Sequence, residues 1–300
     1  MILQKFDYFE FANEPKTWSL SGMILGNINL VVGKNATGKT KTLTKIAWLG
    51  NILAEKQPQL PDSANYDAEF SDGGNIYRCK LNVSQQKIQF QEFDGGREKF
   101  AQWAEGLIMH AFNSKKRKDV VDLYIKGKEE FAQDFKEQII NFMNEIGYEL
   151  LEIGTASSTI YVKEKDVDTE ILLQQMSQGM FRALSLIIQI THNMLKKLPT
   201  TIIIDDIGEG LDFARSASMI KLLSRVAGEG KCQLIMSTND RFVMNNVPLK
   251  YWQVIQRTGG QCKAYNYHNK KEKFDEFEYT GLNNFDFLAT DFINSEEAME

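Results

Sequence analysis

The eight residues from Gly33 to Thr40, Gly-Lys-Asn-Ala-Thr-Gly-Lys-Thr, constrain the fold of this chain more than any other segment. They match the phosphate-binding pattern Gly-x4-Gly-Lys-Ser/Thr. Both flanks fit it, because residues 28–32 predict a buried strand and residues 41–49 predict a helix. Such a loop turns backbone N–H groups inward at a helix N-terminus, where partial positive charge favours a polyanion. The alternative is a chance glycine-rich turn, which the flanking elements disfavour. The segment therefore predicts a nucleoside triphosphate site.

Four residues of this loop have an expected role in binding ATP with Mg2+. Gly33 and Gly38 allow the tight turn and the close approach of the backbone to phosphate oxygens. Lys39 is expected to reach the β and γ phosphates, and Thr40 to place its hydroxyl on the metal ion. The residues predicted to bind the nucleotide in this segment are Gly33, Lys34, Asn35, Ala36, Thr37, Gly38, Lys39, Thr40 and Lys41.

The composition argues against several other classes of protein. A chain of 300 residues with 43% hydrophobic content can bury a large core, as one α/β domain or as a core with a subdomain. The net charge of -5 is unfavourable for a surface built mainly to bind nucleic acid, although it leaves room for a local basic patch. Widely spaced cysteines in strand-like runs indicate reduced core residues and not a disulfide framework or a zinc site; they are Cys79, Cys232 and Cys262.

The sequence also predicts a cytoplasmic chain without a membrane segment. Lys5, Asp7 and Glu10 interrupt the apolar character that a secretory signal peptide needs near its N-terminus. The longest apolar-rich run, residues 183–190, is far too short to cross a bilayer.

Hydrophobic periodicity changes along the chain. Residues 66–93 alternate between apolar and polar and contain an Asp-Gly-Gly turn, which is typical of antiparallel hairpins. Between Glu98 and Gly147 the period is helical. Residues 150–162 predict a further hairpin, and from Met176 onward buried strands alternate with helices, as in a parallel α/β sheet. The helical region carries one apolar stripe, formed by Phe131, Phe135, Ile139, Phe142 and Ile146.

A basic cluster, Lys115-Lys116-Arg117-Lys118, lies in a predicted loop of the helical region. It could contact a phosphate backbone, or it could be a solvated loop. The solvated loop is the favoured interpretation, because a single four-residue cluster lacks interleaved aromatic residues. Binding of DNA is therefore only weakly supported.

A pair of carboxylates follows the buried strand at residues 201–204. Asp205 and Asp206 come at its C-terminal end, where ligands bind in open α/β sheets. One carboxylate there can hold the hydration shell of Mg2+ while its neighbour orients the attacking water. We assign Asp205 to the metal side and Asp206 to the water side. The alternative is an acidic turn after a core strand.

The segment Met176-Ser177-Gln178-Gly179 predicts a second phosphate contact at a helix N-terminus. Ser177 is a good N-cap, and Gly179 allows a phosphate to approach the first turn of the helix. Taken alone, the segment is only a capped helix. Its position between the phosphate loop and Asp205 makes the prediction more specific.

In this order of motifs the chain resembles the ABC-type ATPases, which include the SMC and RecF-like proteins. Those proteins have, along the chain, a phosphate loop, a helical insert, a Leu-Ser-x-Gly signature, a Walker B strand, a D-loop and a switch residue. The likeness extends over about residues 1–255 and is closest to the small AAA-family ATP-binding proteins of the overcoming-lysogenization-defect type in bacterial defence systems. The matching segments here are residues 33–40, 176–179, 202–206, 210–212 and 237–240.

The resemblance implies a fold, a pair of cofactors and a partner. The fold class is α/β, a P-loop NTPase of ABC type with a mainly parallel sheet core, an antiparallel β meander and a helical insert. Residues 1–97 are an ATPase lobe with the phosphate loop and the meander, and residues 98–175 are the insert with a β hairpin. Residues 176–300 are an ATPase lobe with signature, Walker B and switch. ATP and Mg2+ are bound, and Ser177 and Gly179 of one chain meet the γ-phosphate held by a second copy in a homodimer that sandwiches ATP.

Three departures from the resemblance concern turnover. The glutamate that follows the Walker B aspartate in those proteins is Asp206 here, one methylene shorter. Their switch histidine is replaced by Asn239, which can hydrogen-bond a phosphate but does not titrate near neutral pH. No glutamine can be assigned to the loop that links the lobes of transporter relatives. Glu209 is a second candidate for the carboxylate that orients water. The candidate catalytic residues are thus Asp206, Glu209 and Asn239, and slow hydrolysis is expected.

We expect a slow ATP-dependent switch that controls a separate effector protein in anti-phage defence. The insert is too short for a long coiled-coil arm, and roughly sixty residues after the switch are too few for an appended nuclease domain. Two alternatives stay open. One is a RecF/SMC-like DNA-maintenance ATPase; the other is a transporter nucleotide-binding subunit, which the missing glutamine and histidine disfavour.

Overall fold

The computed structural model describes residues 1–56, 60–110, 117–156 and 158–295. The strands in these ranges are β1 (Ile2–Glu10), β2 (Trp18–Ile24), β3 (Ile28–Val32), β4 (Ser63–Asp72), β5 (Asn75–Ser84), β6 (Lys87–Phe93), β7 (Leu107–His110), β8 (Leu150–Ala156), β9 (Thr159–Glu164), β10 (Ile171–Leu172), β11 (Thr200–Ile204), β12 (Cys232–Ser237), β13 (Trp252–Thr258) and β14 (Gln261–Asn266). The helices are α1 (Lys39–Leu53), α2 (Arg97–Glu105), α3 (Arg117–Glu145), α4 (Gln178–Leu195), α5 (Phe213–Gly228), α6 (Arg241–Asn246), α7 (Lys271–Glu278) and α8 (Asn284–Ala289).

Eleven of these strands form one mixed sheet in the order β6-β5-β4-β1-β2-β14-β13-β3-β12-β11-β7. Five neighbours at one end, β13, β3, β12, β11 and β7, are parallel to one another. At the other end β2, β1, β4, β5 and β6 form an antiparallel meander. The sheet thus joins a parallel α/β core to a meander, which confirms the predicted fold class. A separate sheet, β10-β9-β8, contains the hairpin predicted after Gly147.

The parallel strands are buried on both faces, because successive side chains of a strand point to opposite sides. In β11, Ile202 and Ile204 pack into a core shared with α3, α4 and α5. The intervening Ile203 packs on the opposite face with α1, α2 and the meander. Strands β3 and β12 alternate in the same way. This arrangement explains why these strands read as continuous apolar runs in the sequence.

The Asp-Gly-Gly signal predicts the first hairpin of the meander correctly. Asp72 pairs with Asn75, so that Gly73 and Gly74 form a two-residue loop between β4 and β5. Both glycines have positive φ, 57° and 86°. Two-residue loops whose twist matches that of the strands need positive φ at this turn, which glycine adopts without strain.

The helical interpretation of residues 98–147 is wrong over Leu107–His110. These residues form β7, which pairs in parallel with β11 at the edge of the main sheet. A segment of four residues is too short for its periodicity to separate a strand from a helix. The boundaries at residues 97 and 175 stay predictions, although β7 joins the main sheet from within the predicted insert.

Elsewhere in the described part of that region the chain forms α2 and α3, as the helical period predicts. Non-helical backbone at Ala132, with φ 48° and ψ -118°, divides α3 into two segments. Of the basic cluster, Lys115 and Lys116 lie outside the described residues. Arg117 begins α3, and its guanidinium carbon lies 5.0 Å from the centroid of the Phe181 ring on α4.

The strand order brings three distant segments to one edge of the sheet. Strand β12 pairs with β3 on one side and with β11 on the other. All three run in the same direction, so the segments that follow them meet at their C-terminal ends, where ligands bind in such sheets. These segments are the phosphate loop, the loop after Ser237 and the turn at Asp205. Among the described helices, none is long and apolar enough to span a membrane.

Candidate nucleotide-binding site

The loop between β3 and α1 turns sharply into the helix. Gly38 is the N-cap of α1 with φ 101° and ψ 18°, and Ala36 also has a positive φ, 63°. Lys34, Asn35 and Ala36 are exposed. The first N–H groups of any helix lack acceptors within that helix, and its dipole is positive at this end. The start of α1 is therefore suited to an anion.

Lys39 is buried beneath the loop, with its ammonium directed at loop carbonyls. The residue is 8% exposed, and Nζ donates to the carbonyl of Gly33 at 2.8 Å and to that of Lys34 at 3.3 Å. Burial lowers the pKa of Lys39, whereas the carboxylates of Asp206 and Asp205 raise it. A cation is thus held beside the loop by carbonyl oxygens that phosphate oxygens can replace.

Thr40, Asp205 and Ser237 are joined by hydrogen bonds across the ends of the parallel strands. Thr40 Oγ1 donates to Asp205 Oδ1 at 3.1 Å, and Ser237 Oγ donates to the same oxygen at 2.7 Å. Hydroxyl and carboxylate oxygens are the hard ligands that Mg2+ prefers. The fold therefore brings together the two residues predicted to hold the metal ion, although 165 positions separate them in the sequence.

Asp206 has a left-handed backbone with φ 53°. Its N–H donates to Ser237 Oγ at 3.0 Å. Burial raises the pKa of the Asp206 carboxyl, neighbouring carboxylates led by Glu209 add to that rise, and the Arg182 guanidinium opposes it. Non-glycine residues in this region of φ are uncommon and are concentrated at functional sites.

Glu209, the other candidate for orienting water, is engaged by Arg182. Its Oε2 accepts from Nη1 of Arg182 at 2.7 Å, and the Glu209 side chain is 44% exposed. This ion pair already occupies one oxygen of the Glu209 carboxylate. The geometry favours Asp206 over Glu209 as the water-orienting carboxylate.

The predicted signature segment caps α4, but its glycine has an additional role within the chain. Ser177 Oγ accepts from the N–H of Met180 at 3.2 Å, as expected of an N-cap. A Cβ built on Gly179 would lie 2.0 Å from the carbonyl oxygen of Gly210. Only a residue without a side chain allows this approach of α4 to the segment after β11. Contact of Ser177 and Gly179 with phosphate stays a prediction.

The predicted switch residue, Asn239, lies just after the end of β12. This strand is the neighbour of both β3, which precedes the phosphate loop, and β11, which precedes Asp205. Asn239 is exposed, and the next residue, Asp240, caps α6 by accepting from the N–H of Phe242 at 2.6 Å. The cap fixes the start of α6 directly after Asn239. A role for Asn239 at a phosphate stays a prediction.

A buried ion cluster at the start of α1 has no signal in the sequence. Glu10 is 5% exposed and lies 2.6 Å from the ammonium of Lys41 and 2.7 Å from that of Lys45. Burial alone would raise the pKa of Glu10, but hydrogen bonds from both lysines and from Tyr8 hold it below its usual value. Lys41, a predicted nucleotide contact, therefore has a structural role in joining β1 to α1.

The fold is that of SMC head domains. No family model matches the sequence, and no curated protein matches it. Among solved structures, the chain is similar to the SMC head domain from Thermotoga maritima, with a TM-score of 0.59 and 16% identity over 89% of this chain and 99% of that one.

Two further structures share this fold. An SmcHead bound to the C-winged helix domain of ScpA has a TM-score of 0.64 and 13% identity, over 88% of this chain and 97% of that chain. An Smc head domain with an extended coiled coil, bound to the C-terminal domain of ScpA derived from Pyrococcus furiosus, also has a TM-score of 0.64, at 10% identity over 92% and 100% of the two chains. Identities this low show the fold alone, an ABC-type P-loop architecture. These structures do not support the finer resemblance to defence proteins, which stays a prediction.

Proposed function

We propose that this chain binds ATP with Mg2+ and hydrolyses it slowly, as a homodimer that controls a separate effector protein. The observation that carries the proposal is the meeting of Lys39, Thr40 and Asp205 at one edge of the parallel strands, with Thr40 and Asp205 3.1 Å apart. A buried cation, a helix N-terminus and a pair of hard oxygen ligands are together suited to a metal-bound triphosphate.

We assign some of these residues to nucleotide binding and others to hydrolysis. Lys39 and the N-terminus of α1 would hold the phosphates, and Thr40 with Asp205 would hold Mg2+. The metal, when bound, neutralises charge on the phosphates. Asp206 would orient the attacking water. Its short side chain and the neutral Asn239 both reduce stabilisation of the transition state, which supports slow turnover.

The proposed dimer places the N-terminus of α4 against the γ-phosphate bound by the partner. An exposed aromatic pair on the same side of the chain supports burial of this face. Phe213 and Phe242 are 59% and 54% exposed, and their ring centroids are 5.1 Å apart. They adjoin the proposed D-loop and the switch segment, respectively. Contiguous exposed apolar surface is typical of interaction sites.

Control of an effector, in anti-phage defence, is the role that the sequence resemblance supports. The main alternative is a DNA-maintenance ATPase, which the similarity to SMC heads fits equally well. A transporter subunit is the least supported. Dimerisation with ATP alone would favour the switch, whereas dimerisation that requires duplex DNA would favour the maintenance ATPase.

Two substitutions of Ser177 test the sandwich. Asp is as good an N-cap as Ser, so Ser177→Asp preserves α4 while adding a negative charge where the partner's γ-phosphate is expected. Ser177→Arg blocks the same position by size. Both variants should bind a nonhydrolysable ATP analogue with wild-type affinity in calorimetry and should stay monomeric with it in light scattering.

The control is Ser177→Asn, which keeps the cap without charge or large bulk and should dimerise. If Ser177→Asp and Ser177→Arg dimerise as the wild type does, the α4 N-terminus is not at the interface and the sandwich is ruled out. If the wild type fails to bind ATP at all, the nucleotide assignment itself is wrong.

A further inference from the structure

Arg182 is a buried cation that, within the described part of the chain, donates four hydrogen bonds to the segment after β11. The residue is 5% exposed and lies on the second turn of α4. Its Nη2 donates to the main-chain carbonyls of Asp205 at 2.6 Å and Asp206 at 2.8 Å. Its Nη1 donates to the carbonyl of Glu209 at 3.1 Å and to the Glu209 carboxylate at 2.7 Å.

These bonds fix the backbone of the residues proposed to hold the metal ion and the water. Asp206 is in a left-handed conformation, which is held only where surrounding contacts over-determine it. Two of the contacts at this point are the bond from Arg182 to the Asp206 carbonyl and the bond from the Asp206 N–H to Ser237. The guanidinium therefore helps to set the direction of the Asp206 carboxylate.

The same segment touches α4 at a second point, one turn nearer its N-terminus. Gly179 approaches the carbonyl of Gly210 so closely that no Cβ fits between them. Residues 205–210 are thus attached to α4 by Arg182, which bonds to Asp205, Asp206 and Glu209, and by Gly179, which adjoins Gly210. A displacement of the α4 N-terminus cannot occur without moving or breaking these contacts.

We propose that Arg182 is a positioning residue that couples the two ATP sites of the dimer. This inference rests on the proposed function, in which Ser177 contacts ATP held by the partner and Asp206 acts on ATP held by its own chain. Arrival of the partner's phosphate at α4 is then transmitted through Arg182 to Asp206. Each site hydrolyses efficiently only when the other is filled.

The chemistry of this connection requires arginine. A planar guanidinium reaches several acceptors at once in a fixed geometry, whereas an ammonium is a point charge on a flexible stem. Lysine at position 182 retains the charge but cannot span the carbonyls of Asp205 and Glu209 together. Removal of the charge leaves the half-exposed Glu209 accessible to water, so the folded chain should tolerate it.

The test compares Arg182→Met and Arg182→Lys with Arg225→Met. The control removes an exposed arginine whose ion pair with Glu145 has the same 2.7 Å separation, far from the site. We expect Arg182→Met to lower kcat on the order of tenfold to hundredfold, the effect of a small misplacement of a reacting group. Its affinity for a nonhydrolysable ATP analogue and its KM should stay within about twofold of wild type, since neither is set by Arg182. The Hill coefficient for ATP should fall to 1, and Arg182→Lys should recover part of kcat.

Three outcomes would overturn the proposed coupling of the two ATP sites. Unchanged kcat and Hill coefficient in Arg182→Met, with wild-type ATPase activity present, would show that the contact has no role in turnover. Joint loss of analogue binding and of the thermal unfolding transition would assign Arg182 to folding alone. A wild type that neither binds nor hydrolyses ATP would instead refute the proposed function, and the coupling with it.

Discussion

Lys39→Ala should lose detectable ATP binding. Lys39 places a buried ammonium beside the phosphate loop. Burial lowers the pKa of Lys39, and the carboxylates of Asp206 and Asp205 raise it. A charge-assisted contact of this kind contributes about 3 kcal/mol, which is roughly a hundredfold in affinity, and its removal also leaves the site with excess negative charge. Calorimetry with a nonhydrolysable analogue and Mg2+ should show no heat for the variant.

The matched control for Lys39→Ala is Lys231→Ala. It changes the net charge by the same amount at a half-exposed lysine, paired with Glu229 at 2.6 Å away from the site. Its affinity should equal that of wild type, because exposed ion pairs are screened by solvent. Wild-type affinity in Lys39→Ala would remove the basis for assigning residues 33–40 to a triphosphate.

Asp206→Asn should reduce kcat on the order of a hundredfold or more, because a positioned general base contributes about this much to a rate. The substitution is well matched to the backbone here. Asn tolerates the left-handed conformation that Asp206 adopts with φ 53°, so a loss of activity reports on the missing charge and not on strain. Steady-state phosphate release at saturating ATP measures the effect.

Asp206→Glu tests the same residue in the opposite direction. It lengthens the side chain by one methylene, which should move the carboxylate toward the water and raise turnover from a slow wild-type value. Two results would contradict the slow switch: a wild type that already hydrolyses about ten ATP per second, an ordinary enzyme rate, or an Asp206→Asn variant as active as wild type. Glu209 would then be the better candidate base, despite its bond to Arg182.

The parts of the site that could be predicted from the sequence are those whose pattern lies in consecutive residues. The phosphate loop, the N-cap Ser177 and the strand before Asp205 each depend on local backbone geometry, which residue types at fixed spacing determine. The meander could likewise be predicted from the alternating pattern and from the Gly73-Gly74 turn. The placement of these motifs at one edge followed from strand order, which the resemblance to ABC-type ATPases implied.

The parts that the sequence could not predict depend on contacts between distant segments. Glu10 meets Lys45 across 35 positions, and Arg182 meets Glu209 across 27, and neither pair has a local pattern. Strand β7 could not be predicted, because so short a segment, with three apolar residues, fits a helix as well as a strand. Gly179 was assigned to phosphate alone, although its contact with Gly210 already requires a glycine.

The most direct test of a site shared between two chains is complementation between two inactive variants. In a sandwich dimer, one site takes Lys39 from the first chain and Ser177 from the second. A mixture of Lys39→Ala and Ser177→Asp chains therefore contains heterodimers with one fully wild-type site and one doubly defective site. We predict that each variant alone is inactive and monomeric. Mixing them with ATP and Mg2+ should restore a species of twice the 34.3 kDa chain mass, with phosphate release above that of either variant alone but below the wild-type rate, because the defective site stays empty. A mixture as inactive as its components, made from variants that are folded and beside a wild type that dimerises, would contradict the shared site.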